Sequence, residues 1–132
     1  MLREQQDAIF ELLKDSADVD CENIIAENRK DLVNAIKTAM AKLGMCIVVQ
    51  TLDVKISTTT PGPVYDSMKV SILVNEHPLI NRAKTDLTAL DLAEKVAAAL
   101  HLQRVENRTL TCTAINYQQD SIYLTYAVDF DL

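Results

Sequence analysis

ENRKDLVNAIKTAMAKLGMCIVVQTLDVKI, residues 27–56, changes its hydrophobic period once, at Gly44. Before the glycine, Leu32, Ile36, Met40 and Leu43 fall on one stripe, with Val33 and Ala39 beside it. Arg29, Lys30, Asp31, Lys37 and Lys42 take mostly the other face. That spacing predicts an amphipathic helix over 27–43. Gly44 follows the last stripe residue, where glycine adopts a left-handed cap at little cost, and Lys42 complements the helix dipole. After Gly44 the chain turns to β-branched residues in period 2: Ile47, Val48, Val49, Val54 and Ile56. Ile47 and Val49 are odd-numbered, whereas Leu52, Val54 and Ile56 are even-numbered. A one-residue slip of this kind predicts a β-bulge near Gln50 and Thr51, or a first half buried on both faces.

Downstream, Ser57 to Pro63 is rich in turn formers and holds Pro61, Gly62 and Pro63, which ends the strand. Met68, Val70, Ile72 and Val74 then alternate with Lys69, Ser71 and Asn75, a strand with one dry and one wet face. Glu76 to Arg82 reads as a loop, because Pro78 cannot donate to a central ladder. Its Leu79 and Ile80 tuck under the next helix or meet a partner. A second amphipathic helix follows, with Ala89, Leu92, Ala93, Val96 and Leu100 as its stripe. Thr85 or Thr88 is its N-cap, and Thr88 with Asp91 approximates a capping box. His101 to Arg108 is polar. Strands over 109–117 and 122–132 close the chain, joined by Gln118 to Ser121. In the last, Ile122, Leu124, Tyr126, Val128, Phe130 and Leu132 alternate without a fault.

Upstream, Met1 to Lys14 reads as a short amphipathic helix with Ile9 and Leu13 four apart. Asp15 to Glu22 carries four acids and no base, and reads as a solvated connector. Its alternating acids lack the glycine and the later glutamate of a calcium loop. The expected order is α-α-β-β-α-β-β: a single α+β domain, 1–132, with an antiparallel or mixed sheet of about four strands and helices on one face.

Length and charge exclude several classes. At 132 residues the chain makes one domain, on a prior of roughly 100–200 residues each. Its net charge of −6 and lack of any basic stripe argue against nucleic-acid partners. Its uncharged runs, Leu43 to Leu52 among them, are far short of the ~20 residues of a membrane span. The polar N-terminus, without the apolar run of a signal peptide, predicts a cytosolic protein.

A search for chemistry finds no catalytic, cofactor-binding or metal-binding set. Cys21, Cys46 and Cys112 are widely spaced, and His77 and His101 stand far apart, unlike the clustered ligands of a zinc site. They read as free thiols in reduced core positions. With only Gly44 and Gly62, no phosphate-cradling loop exists. Nothing specifies a Cys–His or Ser–His dyad, and nothing marks a buried carboxylate. Two segments depart from this plain pattern: the Pro61, Gly62, Pro63 loop, and Glu76 to Arg82, where Arg82 is a candidate charged anchor for a partner.

With these residues in place, residues 28–132 resemble small phage tail-completion proteins of the tail-terminator class. The resemblance lies in the helix running into a strand (Leu32 to Val49), the Pro/Gly loop, and the run Glu76, Pro78, Asn81 and Arg82. An Ala-rich helix from Leu90 to His101 and the final hairpin complete it. Residues 1–27 lie outside the match. The resemblance implies a non-enzymatic assembly protein that needs no cofactor. It implies a ring, usually of six subunits, that caps the tail tube and meets the neck. Such proteins can be monomeric until they meet the tube, and they work in the host cytoplasm and then in the virion tail. Edge pairing between neighbours would cover the sheet's open edges, and acidic surface would complement basic patches on partners. The alternative class is an acidic dimer resembling type III secretion chaperones that hold an unfolded effector, although such chaperones usually close with a helix. A ring supports the first reading and a dimer the second.

Overall fold

The computed structural model describes residues 2–16, 24–26, 31–56, 58–59, 65–82, 87–105, 108–120 and 123–132. Among them the elements are α1 (Leu2–Ser16), β1 (Ile24–Ala26), α2 (Leu32–Leu43), β2 (Met45–Ile56), β3 (Tyr65–Glu76), α3 (Pro78–Arg82), α4 (Ala89–Leu100), β4 (Arg104–Val105), β5 (Arg108–Thr109), β6 (Thr111–Asp120) and β7 (Tyr123–Asp131). The fold is α+β. A five-stranded sheet has the order β1-β2-β3-β7-β6, and β4 pairs with β5 in a small separate hairpin. Only β1 runs parallel to its neighbour, so the sheet is mixed.

The sequence expectation of about four strands and helices on one face is corrected. The sheet has apolar side chains on both faces and is covered on both. Ile9 and Leu13 of α1 and Leu92, Ala93, Val96 and Leu100 of α4 pack on one face with Ile47, Val49, Val70, Ile72, Val74, Val128 and Phe130. On the other, Ala39 and Met40 of α2 pack with Ile25, Cys46 and Val48, and with Leu32, Ile36 and Leu73 at their edge. The reason lies in Met45 to Val49, buried throughout. A strand with no polar alternation needs a cover on each face.

Both alternatives offered for this strand hold. Its first half is buried on both faces, and the register with β3 shifts between Thr51 and Asp53. The extra residue is Leu52, one position beyond the expected Thr51, and it stands 54 % exposed. Gly44 takes φ 72 and its N–H reaches Met40 O at 3.1 Å, the expected left-handed cap. Thr88 caps α4 with a full capping box. Of the helix expected over 27–43, residues 32–43 are helical and 27–30 lie outside the described residues, as does most of the acidic connector.

Three short elements escaped the sequence reading. Ile24–Ala26 adds a parallel edge strand, Pro78–Arg82 forms one helical turn instead of a loop, and the polar 101–108 segment contributes β4 and the start of β5. β6 also continues through Gln118 to Asp120, residues expected in the turn. The final strand behaves as expected from Tyr123 on: Val128 and Phe130 are buried, and Leu132 exchanges main-chain hydrogen bonds of 2.9 and 3.1 Å with Met68.

Candidate functional site

Three places concentrate polar groups or open surface. The first is the corner where β3, α3, the end of α2 and the start of α4 converge. β3 ends at Glu76, whose side chain is 1 % exposed. Its Oε2 accepts from Asn81 Nδ2 at 2.7 Å, and its Oε1 accepts from the N–H of Ala89 at 3.2 Å. Ala89 opens α4, so the carboxyl group meets an N–H left without a partner inside the helix, at the positive end of the helix dipole. Asn81, also 1 % exposed, donates in addition to Leu87 O at 2.7 Å.

The corner closes against Gly44. Gly44 O accepts from the N–H of His77 at 2.8 Å, and His77 O accepts from the N–H groups of Ile80 and Asn81 at 3.2 and 2.9 Å. Next to it, Asp91 accepts from the Thr88 N–H and hydroxyl at 3.2 and 2.9 Å. Those bonds, the backbone one foremost, hold the Asp91 carboxyl below the usual carboxylate range. His77 Nδ1 is buried with no hydrogen-bond partner among the described residues, and its ring meets Tyr123 edge-on at 5.7 Å.

The structure therefore divides the expected contact run. Glu76 and Asn81 come together, but inward, so they brace the corner and present nothing to a neighbour in this protomer. That corrects the reading of both as surface contacts. It also corrects the expectation that no carboxylate is buried: the signal was Glu76 at an inward position of a strand whose Val70, Ile72 and Val74 point the same way. Pro78 is half-buried at the first position of α3, where its missing N–H costs nothing. Leu79 does not tuck under the helix; it is 81 % exposed, while Ile80 is half-buried. Arg82 ends α3, and its side chain lies outside the description, as do Pro61, Gly62 and Pro63.

The second place is a groove of about 550 Å³ between α2 and the sheet, lined by Ile36, Met40, Val48, Leu73, Tyr123 and Thr125 among others. The third, of about 450 Å³ and more open, lies between α4 and β6 and is lined by Glu94, Ala97, Ala98, His101, Cys112 and Ile115. Leu102, at φ 66, turns the chain out of α4, and His101 Nδ1 accepts from the N–H of Cys112 at 3.0 Å. An imidazole thus stands near a cysteine, but it holds the backbone, and burial pushes the thiol above its ordinary range, opposite to an activated nucleophile.

Cys46 is more extreme: complete burial raises its pKa from 9.0 to about 12. At pH 8, alkylation followed by peptide mass spectrometry is expected to modify half-buried Cys112 in the native protein and Cys46 only after denaturation. The same shift sets a pH dependence. Below about pH 9 the thiol is neutral in both states and its contribution is intact. From pH 9 toward 12 the unfolded thiol ionises while the folded one does not, so stability falls with rising pH.

Among the described residues no group of three or more His, Cys, Asp or Glu is arranged to hold a metal ion, and no helix is long and apolar enough to cross a membrane. The chain matches no protein-family model and no curated protein.

Proposed function

We propose that the chain is a structural assembly protein of a phage or prophage tail, of the tail-terminator class, which self-associates in a ring, caps the tail tube and joins it to the neck. It works by docking a rigid folded plate, with no bond made or broken. The observation that carries the reading is α3. A single helical turn is pinned from below by Gly44, His77, Glu76 and Asn81, and it holds Leu79 outward at 81 % exposure. A fixed apolar knob followed by an arginine is what a subunit contact uses as an anchor, because little side-chain and backbone freedom is lost on docking. Acidic net charge supports tube and neck partners with basic patches.

The test is oligomeric mass by light scattering and mass photometry, alone and on isolated tail tubes. A species near six subunits, alone or on the tube, is expected. Leu79→Asp and Arg82→Glu are each expected to weaken assembly at least ~10-fold, a change of about 1.4 kcal/mol, while the monomer's melting temperature stays within a few degrees. A discrete dimer that ignores tubes would overturn the reading in favour of the secretion-chaperone class. If Arg82→Glu unfolds the monomer, Arg82 belongs to the fold and Leu79 alone carries the contact test.

A further inference from the structure

We infer that the open edge of β6, with the groove beside α4, is a strand-addition site for an extended, basic peptide segment of a partner protein. The inference stands apart from the tail reading and would hold for a partner of any origin.

Among the described elements β6 ends the sheet, so the side of it turned away from β7 carries main-chain donors and acceptors with no strand to meet them. Natural edges of this length are blunted by lysine, proline or a bulge. Here the start of the strand is blunted and the rest is not. Leu110 exchanges main-chain hydrogen bonds with Leu102 and Gln103 at 2.7 and 2.8 Å, His101 takes the Cys112 N–H, and the register with β7 shifts between Cys112 and Ala114. Beyond that point, Ala114 to Gln119 runs without charge, proline or glycine. That length is about 20 Å of strand, enough to pair with roughly six residues.

Side chains beside this edge form a shelf. Ile115 is 40 % exposed and Tyr117 51 %, both on the α4 side of the sheet, where the Tyr117 ring rests on Tyr126 at 5.0 Å between centroids. A strand added to β6 would place every second side chain over Ile115 and into the groove floored by Ala97 and Ala98. An edge strand flanked by a helix, with a groove between them, gives such a ligand both main-chain pairing and side-chain pockets.

Charge selects the occupant. The groove's rim carries Glu94, and the strand contributes no positive charge, in a chain of net charge −6. A second copy would bring the same acid to the same rim, whereas a segment with lysine or arginine opposite Glu94 gains from it.

The test uses 15N-labelled protein and a panel of capped ten-residue peptides that alternate valine or isoleucine with threonine and carry either lysine or glutamate along their length. Expected are amide shifts confined to Thr113–Gln119 and to the Glu94–His101 flank of α4. Lysine peptides should bind at least ~5-fold tighter than glutamate peptides at low salt, and Glu94→Lys should reverse that order. N-methylation of one alternate set of peptide amides should abolish binding and of the other set should not, which separates strand pairing from simple apolar contact. Ala98→Arg, at an exposed helix position that tolerates bulk, should weaken binding at least ~10-fold. Shifts that map to the α2 groove would overturn the inference, as would equal tolerance of both N-methyl patterns or no β6 shift at millimolar peptide. A protein-only dimer that protects the β6 amides from exchange would also overturn it, since the occupant would then be a second copy.

Discussion

Gly44→Ala is expected to lower the melting temperature by roughly 6–25 °C. Two costs combine. At φ 72 an L-residue with a Cβ sits in the left-handed region, at about 1–2 kcal/mol. The added Cβ would also press on the backbone of α3, against Asn81 N, with Asn81 Cα at 2.8 Å and Ile80 C at 3.0 Å. Backbone cannot rotate away as a side-chain tip can, so α3 must shift and strain the His77–Gly44 hydrogen bond. Overpacking of that sort costs about 1–3 kcal/mol more. The sum, about 2–5 kcal/mol, converts at about 3–5 °C per kcal/mol for a domain of this size. Gly44→Asn separates the two terms. Asparagine tolerates a left-handed backbone but carries the same Cβ. A loss close to that of alanine shows that the close approach dominates, and recovery of most of the stability would show that strain alone matters. A melting curve for Gly44→Ala within 3 °C of wild type would contradict the packing of α3 on the α2 cap.

The cap itself was legible in the sequence and the close approach was not. A glycine after a helical stripe announces a left-handed turn, because that conformation is a local property of one residue. That Asn81 comes to rest on Gly44 depends on where residues 37 positions apart meet, and periodicity carries no such information. The same division runs through the fold. Val128, Phe130 and Leu132 were legible because alternation in a strand maps directly to burial. Ile24–Ala26 was not, because three apolar residues after an acidic segment are too few to show a period. The second helix layer was half-legible. The unbroken apolar run Met45 to Val49 signalled burial on both faces, yet nothing local said that α2 supplies the second cover. At the candidate site, Glu76 and Asn81 stood out by type and position, but the direction of Glu76 was settled by the parity of β3 and that of Asn81 by how the α3 turn folds back on His77 and Glu76. Cys112 and His101 became neighbours only through the turn at Leu102. The open edge of β6 was hidden for a different reason: Gln118 to Asp120 has a turn former's composition, and pairing with Tyr123 to Thr125 overrides that preference.

Glu76→Gln tests whether the buried corner needs a carboxyl group with two accepting oxygens or only a side chain of that size. The wild-type arrangement supplies one acceptor oxygen to Asn81 Nδ2 and the other to the Ala89 N–H. Glutamine has one oxygen, so its amide nitrogen must face one of those donors. Turning Asn81 over would offer it an oxygen, but that oxygen's counterpart amide would leave Leu87 O, which Asn81 Nδ2 now serves at 2.7 Å. Every rearrangement orphans a buried group, at about 1–3 kcal/mol. Glu76→Gln is therefore expected to cost about 2 kcal/mol by urea denaturation. Glu76→Ala should cost about 4 kcal/mol, since it orphans two donors and opens a cavity. In a double-mutant cycle, Glu76→Ala and Asn81→Ala should fall short of additivity by at least ~1 kcal/mol, because the second change removes a donor already stranded by the first. The measurement also divides fold from contact. A Glu76→Gln protein as stable as wild type but defective in self-association would return Glu76 to the interface, whereas lost stability with unchanged assembly per folded molecule assigns it to bracing α3. On the second outcome, the carboxyl group would bear on any docking of Leu79 only through the fraction of molecules that fold, because α3 keeps its place in each molecule that does.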